Sequence, residues 1–552
     1  MNVAATRWRL KPTLGEAIFL GSLFVVLNIG HRFVSDGDIF WHLVTGEQIV
    51  KNFQIPFQDA YSYTVTGKEW VAHEWGAEVL FWLTYKAMGL NGIVLLAVLV
   101  VALTLLLLYK FLIFRKVNPL LAIVLVIFAA SVANVHWSAR PHIFSLPLSL
   151  LFFIILDLYQ QEKRDYLKFL PLLMLVWVNL HAGFMFGIIL ALIYLGVNLL
   201  MVLVAKEDMA VEQKARLKRL AWIVSATLAA TLINPRGFKI LLFPFSLTNS
   251  SVIMNSIEEW LSPNFHHIRD AHYLLIFYIT ALALTKTKKH LAEIAVFLLL
   301  LYISLYSVRY LALFAILTTP MVAVRWQEIL VTAANQVAHI PLCHRLRARL
   351  GAFFEEATKL ESQKRPLIWV YLSVALVVMI GINDGKVGSY RLFNYRVDRA
   401  AFPVDAMKFV AANQINGRMF NQDHWGGYIL LKAYPQQRVF FDGRNDMYGG
   451  DFFKEYLRIA QLHATYPSLL DKYDVTWVIY EANSPICNAL KASGNWQLVY
   501  ADGVANILLK DIPENAAVIQ KYPNVRFLPK GYMPIDEAAE AELLRAGDGF
   551  FK

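Results

Sequence analysis

Long apolar runs separated by short polar stretches dominate the pattern of this 552-residue chain. A bilayer crossing takes roughly 20 mostly apolar residues. Runs that meet or approach that length lie at 14–33, 91–114, 119–136, 143–159, 168–181, 184–204, 220–235, 273–285, 290–306, 310–324 and 367–383. The pattern thus predicts about eleven crossings. The stretch 75–88 is also apolar but carries Glu78 and Lys86, and counting it as a crossing would invert every later basic cluster. It reads as an amphipathic helix lying in the membrane interface.

Three polar pieces interrupt the runs: a loop at 34–90 with helices expected at 39–52 and 75–88, a basic connector at 325–366, and the segment 384–552. In the last, β-like runs at 438–442, 476–480, 496–500 and 505–509 alternate with helical patterns at 425–434, 451–463 and 484–492. Such alternation suggests a small α/β domain. The predicted class is an α-helical polytopic membrane protein, residues 1–383, with a C-terminal soluble α/β domain, 384–552.

Composition agrees, at 57% hydrophobic and 17% charged residues. The net charge of +11 would suit nucleic acid, but the basic residues fall in short clusters between apolar runs. Arg7/Arg9/Lys11, Arg115/Lys116, Lys163/Arg164/Lys168, Lys214/Arg216/Lys218/Arg219, Lys286/Lys288/Lys289 and Arg345/Arg347/Arg349 follow the positive-inside pattern. They place the N-terminus in the cytoplasm and the C-terminal domain outside, with no nucleic-acid partner. On this topology Cys343 and Cys487 lie on opposite sides and cannot pair. Asn249-Ser250-Ser251 matches a glycosylation triplet, a motif common by chance.

With the topology drawn, the chemistry-bearing residues fall on the outer face. Asp36-Gly37-Asp38 and His42 follow the first crossing, and His73-Glu74-Trp75 closes the same loop. His136 to Arg140-Pro141-His142, Asn179-Leu180-His181, Asn234-Pro235-Arg236 and Ser307-Val308-Arg309 lie at the ends of crossings on that side, and Glu258-Glu259-Trp260 sits in an outer loop. Arg140, Arg236 and Arg309 run against the positive-inside bias. A phosphate gripped by guanidinium forks would give them a reason to be there; headgroup snorkelling is the plain alternative for each one. Asp38 and His42 stand one helical turn apart, so both can face one site, with Asp38 able to take a proton from an acceptor group. Capping of the helix explains Asp36 and Asp38 equally well. His73, Glu74 and His181 read as substrate-holding groups, or as ordinary interhelical hydrogen bonds. No HExxH or CxxC spacing occurs and no metal is assigned, although Asp36, Asp38 and Glu74 would offer a divalent cation oxygen ligands.

This arrangement resembles the GT-C superfamily of membrane glycosyltransferases, which includes oligosaccharyltransferase catalytic subunits and the mannosyltransferase and aminoarabinose-transferase types. Those enzymes use polyprenyl-phosphate-linked sugars and carry a catalytic acid in the first outer loop; the matching positions here are Asp36 and Asp38, the helices 39–52 and 75–88, and the domain 384–552. Asn421 to Trp425-Gly426-Gly427-Tyr428, followed by Asp442-Gly443-Arg444, resembles the Trp-Trp-Asp motif of oligosaccharyltransferases but has one Trp, and Gly-Gly in place of Asp-Tyr-Gly. The FWHL, HEW and WGGY/DGR segments are similar to those of bacterial membrane proteins. The resemblance implies a bacterial inner-membrane enzyme moving a sugar, with inversion, from a lipid-linked donor to a saccharide, lipid or protein acceptor. It implies Asp38 or Asp36 as base and His42, His73, Glu74, Arg140, His181, Arg236 and Arg309 as substrate-binding residues. Two other readings stand beside it: a flippase for a lipid-linked saccharide, and a non-catalytic subunit of an envelope or secretion complex.

Overall fold

The computed structural model describes residues 11–204, 207–243, 250–267, 269–286, 290–336, 355–359, 361 and 367–531. Arg7, Arg9, Asn249, Cys343, Lys288, Lys289 and the 345–349 arginines lie outside these, as do most of the connector and the end of the C-terminal tail. The chain forms two compact units. One takes in the chain up to Asp36, Thr45–Pro56 and Val71–Arg396; the other comprises Gly37–Val44, Phe57–Trp70 and the chain from Val397.

The first unit is a helical bundle. Among the described residues, five of its helices are long and apolar enough to cross a membrane: Trp75–Phe114, Pro119–His136, Pro141–Gln161, Phe184–Leu203 and Val308–Gln336. Five shorter apolar helices accompany them, at Leu14–Asn28, Leu167–Val178, Asp270–Leu284, Leu291–Tyr306 and Ile368–Ile382. The run expected at 220–235 occupies the second half of the helix Glu207–Ala230 and the turn after it. This is an integral membrane protein by build. Helix starts follow local chemistry: Thr13 and Glu16 form a capping box, and Asn118 accepts from Leu120 N at 3.0 Å ahead of Pro119 at the first helical position. The stretches 75–88 and 91–114 run as one helix interrupted at Gly89, whose φ of 59° and ψ of −149° only glycine adopts without strain.

Alternate turns gather at opposite ends of this unit. At one end Arg115 pairs with Asp157 at 2.8 Å, Arg219 with Asp165 at 3.0 Å, and Lys110 with Glu361 at 2.7 Å. The turns that follow the helices ending near residues 28, 133, 178, 230 and 306 meet at the other. A short hairpin, β1 (Lys386–Val387) with β2 (Tyr390–Arg391), follows the last apolar helix.

The second unit is α/β. Its sheet has the order β3 (Met419–Asn421), β4 (Trp477–Glu481), β6 (Ala505–Lys510), β5 (Trp496–Ala501); β3 and β4 are parallel and the other pairs antiparallel. Val404–Ala412, Gly426–Ala433, Gly450–Ala460, Tyr466–Lys472 and Pro485–Ala492 are its helices of seven residues or more among the described residues. Buried Val478, Ile479, Leu498, Ile507 and Leu508 form the core. The expected strand at 438–442 is not one, and β3 takes its place. Only Val439 there pairs by backbone, in an isolated parallel bridge with Ser62, while the Asn421 side chain takes the next groups: its Oδ1 accepts from Phe440 N at 2.9 Å and its Nδ2 donates to Phe441 O at 2.9 Å. Cys487 is buried with its thiol free.

Candidate functional site

The turns gathered at one end of the helical unit join side chains from distant stretches of sequence. Arg140 opens the Pro141–Phe144 turn; its Nε lies 2.7 Å from Asp36 Oδ2, and its Nη1 donates to Glu259 Oε1 at 2.7 Å. Arg309 extends the chain, with Nη1 3.8 Å from Glu259 Oε2 and its guanidinium over the Trp260 ring at 4.7 Å. Ser307 builds that corner: its Oγ donates to the Glu259 carbonyl at 2.7 Å and accepts from Arg309 N at 3.3 Å. Carboxylate and guanidinium therefore alternate from Asp36 to Arg309. Burial works to raise the Glu259 carboxyl, but Arg140 and Arg309 outweigh it and hold the group below its ordinary range.

A second polar group lies in the same unit. Glu74 Oε1 sits 3.6 Å from His181 Nε2 and 3.7 Å from His73 Nε2, with all three side chains largely buried. His181 is held from behind: its Nδ1 accepts from Gly183 N at 3.0 Å and meets Ser145 Oγ at 2.8 Å, which in turn accepts from Trp177 Nε1 at 2.8 Å. The His142 ring lies 6.2 Å from that of His181 and stacks on His136 at 4.0 Å. Asn179 ties the turns together, accepting from Trp75 Nε1 at 2.8 Å and donating to Ile233 O at 3.0 Å. This brings the 234–237 turn, with Arg236, beside the His181 turn; Asn234 Oδ1 accepts from Arg236 N at 2.7 Å.

Asp38 and His42 belong to the α/β unit, on the first turns of the helix Asp38–Asn52. There the motifs singled out in the sequence converge. A Cβ at Gly443 would overlap Asp38 Oδ1 and lie 2.6 Å from its Cγ, while one at Gly427 would lie 2.5 Å from Gly37 O and 3.0 Å from Trp41 N. Gly427 of WGGY and Gly443 of DGR are thus what allow the Gly37–Val44 segment to approach. Arg444 supports the same unit from a fully buried position, with Nε and Nη2 on Asp442 at 2.8 and 2.7 Å and Nη2 2.8 Å from Asp59 Oδ1.

The predicted residues therefore divide into three groups. Asp36, Arg140 and Arg309 are joined through Glu259; His73, Glu74 and His181 meet one another, with Arg236 in the adjoining turn; Asp38 and His42 lie on one helix against the DGR glycine. Glu259 as the hub was missed because Glu258 beside it looks the same in sequence. Arg444 stood out in the DGR motif, but its pairing with Asp59 was missed because a buried pair 385 positions apart leaves no local signal. The carboxylates considered for a cation do not assemble as ligands: Asp36 is engaged by Arg140 and Glu74 by two histidines. Among the described residues no group of three or more His, Cys, Asp or Glu is arranged to hold a metal ion.

The fold is shared with the Archaeoglobus fulgidus oligosaccharyltransferase: its apo structure aligns over 90% of this chain and 75% of that one, with a TM-score of 0.51 and 10% identity. The structure of that enzyme tethered by a disulfide to an acceptor peptide containing the NVT sequon covers 84% of this chain and 69% of that one, TM-score 0.50, 11% identity. The archaeal oligosaccharyltransferase AglB from the same organism, in complex with an inhibitory peptide and a dolichol-phosphate, covers 84% and 69%, TM-score 0.51, 10% identity. No protein-family model and no curated protein matches the sequence. Similarity of this degree speaks for the fold, and activity must be argued from the site.

Proposed function

We propose that this protein is a membrane glycosyltransferase of the GT-C type, moving a sugar from a polyprenyl-phosphate-linked donor to a saccharide, lipid or protein acceptor on the outer face of a bacterial inner membrane. The observation that carries the reading is the fold shared along 84–90% of the chain with an oligosaccharyltransferase, one structure of which holds a dolichol-phosphate. The chain would cross the membrane about eleven times, N-terminus inside, with 384–552 outside. The acceptor attacks the anomeric carbon, its proton passes to a carboxylate, and the sugar–oxygen bond electrons leave on the phosphate, with inversion. Asp38 is the base in this scheme. Asp36, engaged by Arg140, anchors that arginine instead. Arg309, with its longer contact to Glu259, and Arg236 and Arg140 receive the phosphate and stabilise the charge that develops on it. His42, His73, Glu74 and His181 hold substrate.

The test is transfer of labelled sugar from a polyprenyl-linked donor by the full-length protein in liposomes. Asp38→Asn should abolish transfer while leaving expression and elution profile unchanged. Transfer retained by that variant removes Asp38 from the base role. Absence of donor turnover by the wild type across a panel of lipid-linked sugars and acceptors defeats the reading as a whole.

A further inference from the structure

The helical unit encloses a polar cavity of about 200 Å³ at the end where Arg115 pairs with Asp157, away from the turns that carry Arg140 and Glu259. Arg115, Asp157, Gln161, His290, Glu293 and Arg325 supply its polar lining. Charged side chains in an apolar bundle are costly, and each needs a partner or a function. Most of these are matched. Arg115 donates from Nη1 to Asp157 Oδ2 at 2.8 Å and from Nη2 to Gln161 Oε1 at 2.7 Å, and the Gln161 amide donates in turn to Asp157 Oδ1. Arg325 Nη1 holds the Glu293 carboxylate.

The matching stops at the rest of Arg325. Its side chain is only 3% exposed, and Nη1 uses both protons, one on Glu293 and one on the Met321 carbonyl a helical turn earlier. Nε is buried without a partner, and among the described residues no hydrogen bond or ion pair engages Nη2. Nε and Nη2 form the edge of the guanidinium whose two parallel N–H bonds fit two oxygens of one oxyanion. A buried ion pair that served only packing would turn this edge to its carboxylate. Arg444 does so in the α/β unit, with Nε and Nη2 on Asp442 at 2.8 and 2.7 Å. Arg325 instead gives Glu293 one nitrogen, and leaving the better edge of a buried cation unmet is costly.

We propose that this cavity is an oxyanion site in which the Nε–Nη2 edge of Arg325 grips a phosphate group. The four charged side chains of the lining sum to zero, and both carboxylates already face a guanidinium, so a phosphate would meet an unengaged pair of donors. The volume holds a phosphate with several waters. The phosphate belongs either to the headgroup of a phospholipid whose tails stay in the membrane or to free phosphate. The site shares no residue with the Asp36–Arg309 group, and it stands whether or not the protein transfers sugar.

The test is isothermal titration of the full-length protein in neutral detergent with three probes: inorganic phosphate, dioctanoyl phosphatidic acid, and dioctanoylglycerol, which has the same tails without the phosphate. Wild type is compared with Arg325→Lys, which keeps a charge for Glu293 but loses the fork. A phosphate-dependent binding step should weaken about tenfold in the variant, as expected for one lost charge-assisted hydrogen bond. Weakening with phosphatidic acid alone assigns the site to a lipid headgroup, and weakening with both phosphate probes shows that free phosphate suffices. Coinciding titrations of wild type and variant overturn the proposal, because any phosphate bound then sits at other arginines. Equal weakening with dioctanoylglycerol overturns it too, as does a wild type that binds neither phosphate probe. If Arg325→Lys does not fold, Arg325→Gln combined with Glu293→Gln removes both charges together and should show at least the same loss. Cryo-electron microscopy of the wild type in phosphatidic-acid nanodiscs and phosphate buffer reads the site without a variant. Tetrahedral density against Nε and Nη2 is expected there, and water alone overturns the proposal.

Discussion

Gly443→Ala tests whether the position of the Asp38 carboxylate matters. The three atoms nearest to a Cβ at 443 all belong to that carboxyl group: Oδ1 overlaps it, Cγ is 2.6 Å away and Oδ2 3.1 Å. Carbon–carbon contacts settle at about 3.5–4.0 Å, so Cγ must retreat by roughly 1 Å. The obstacle is the end of a short side chain rather than backbone, so the carboxylate can rotate away and the unit should stay folded, at a cost near the low end of about 1–3 kcal/mol. A misplacement of about 1 Å at a reacting group can reduce turnover by on the order of 100-fold. The expected result is therefore a variant with near-normal thermal unfolding in detergent and a kcat for sugar transfer reduced about 100-fold, its donor KM little changed. Wild-type turnover in a folded Gly443→Ala protein would refute the reasoning, because the carboxylate would then have moved without consequence.

Arg444→Met removes the cation from two buried carboxylates and from over the Tyr61 and Trp70 rings, 4.7 and 4.6 Å away. It should destabilise the α/β unit by about 3–5 kcal/mol, read as a lowered unfolding midpoint and early proteolysis after residue 397; a change under about 1 kcal/mol contradicts it. Asp446 is raised to about 6 by burial, against the pull of Arg444. The folded state therefore binds more protons than the unfolded chain between the ordinary carboxyl value of about 4 and about 6, and stability falls as pH rises through that window. Asp446→Asn should accordingly match wild type near pH 4 and gain about 1–3 kcal/mol at pH 7 in thermal unfolding; equal midpoints at both pH values contradict the assignment. Gly89→Ala meets no neighbouring atom but must adopt a backbone conformation foreign to alanine, so it should cost about 1–3 kcal/mol of bundle stability, and an unchanged melting curve would refute the strain.

The helical half of the molecule was readable from sequence because its signal is local. An apolar run opened by Asn118-Pro119, or closed by a basic pair such as Arg115-Lys116, carries its own boundaries, and helices stand at the places those runs predicted. Short strands behave differently. The run 438–442 has strand composition, yet Asn421 bonds its backbone and the three-residue β3 takes the ladder position, an outcome set by a partner about 20 residues away.

The sequence by itself determined the class of the protein, the helices and the list of ionisable residues that interrupt an apolar chain, because burying apolar surface and leaving charges at helix ends follow from each segment's own composition. Only the tertiary structure decided which of those residues meet. Arg140 joins Asp36 to Glu259, Glu74 lies between His73 and His181, Asp38 rests against Gly443, and Arg444 reaches Asp59. Apart from the neighbours His73 and Glu74, each of these contacts spans turns that are distant in sequence, and a charge chooses its partner by distance in space.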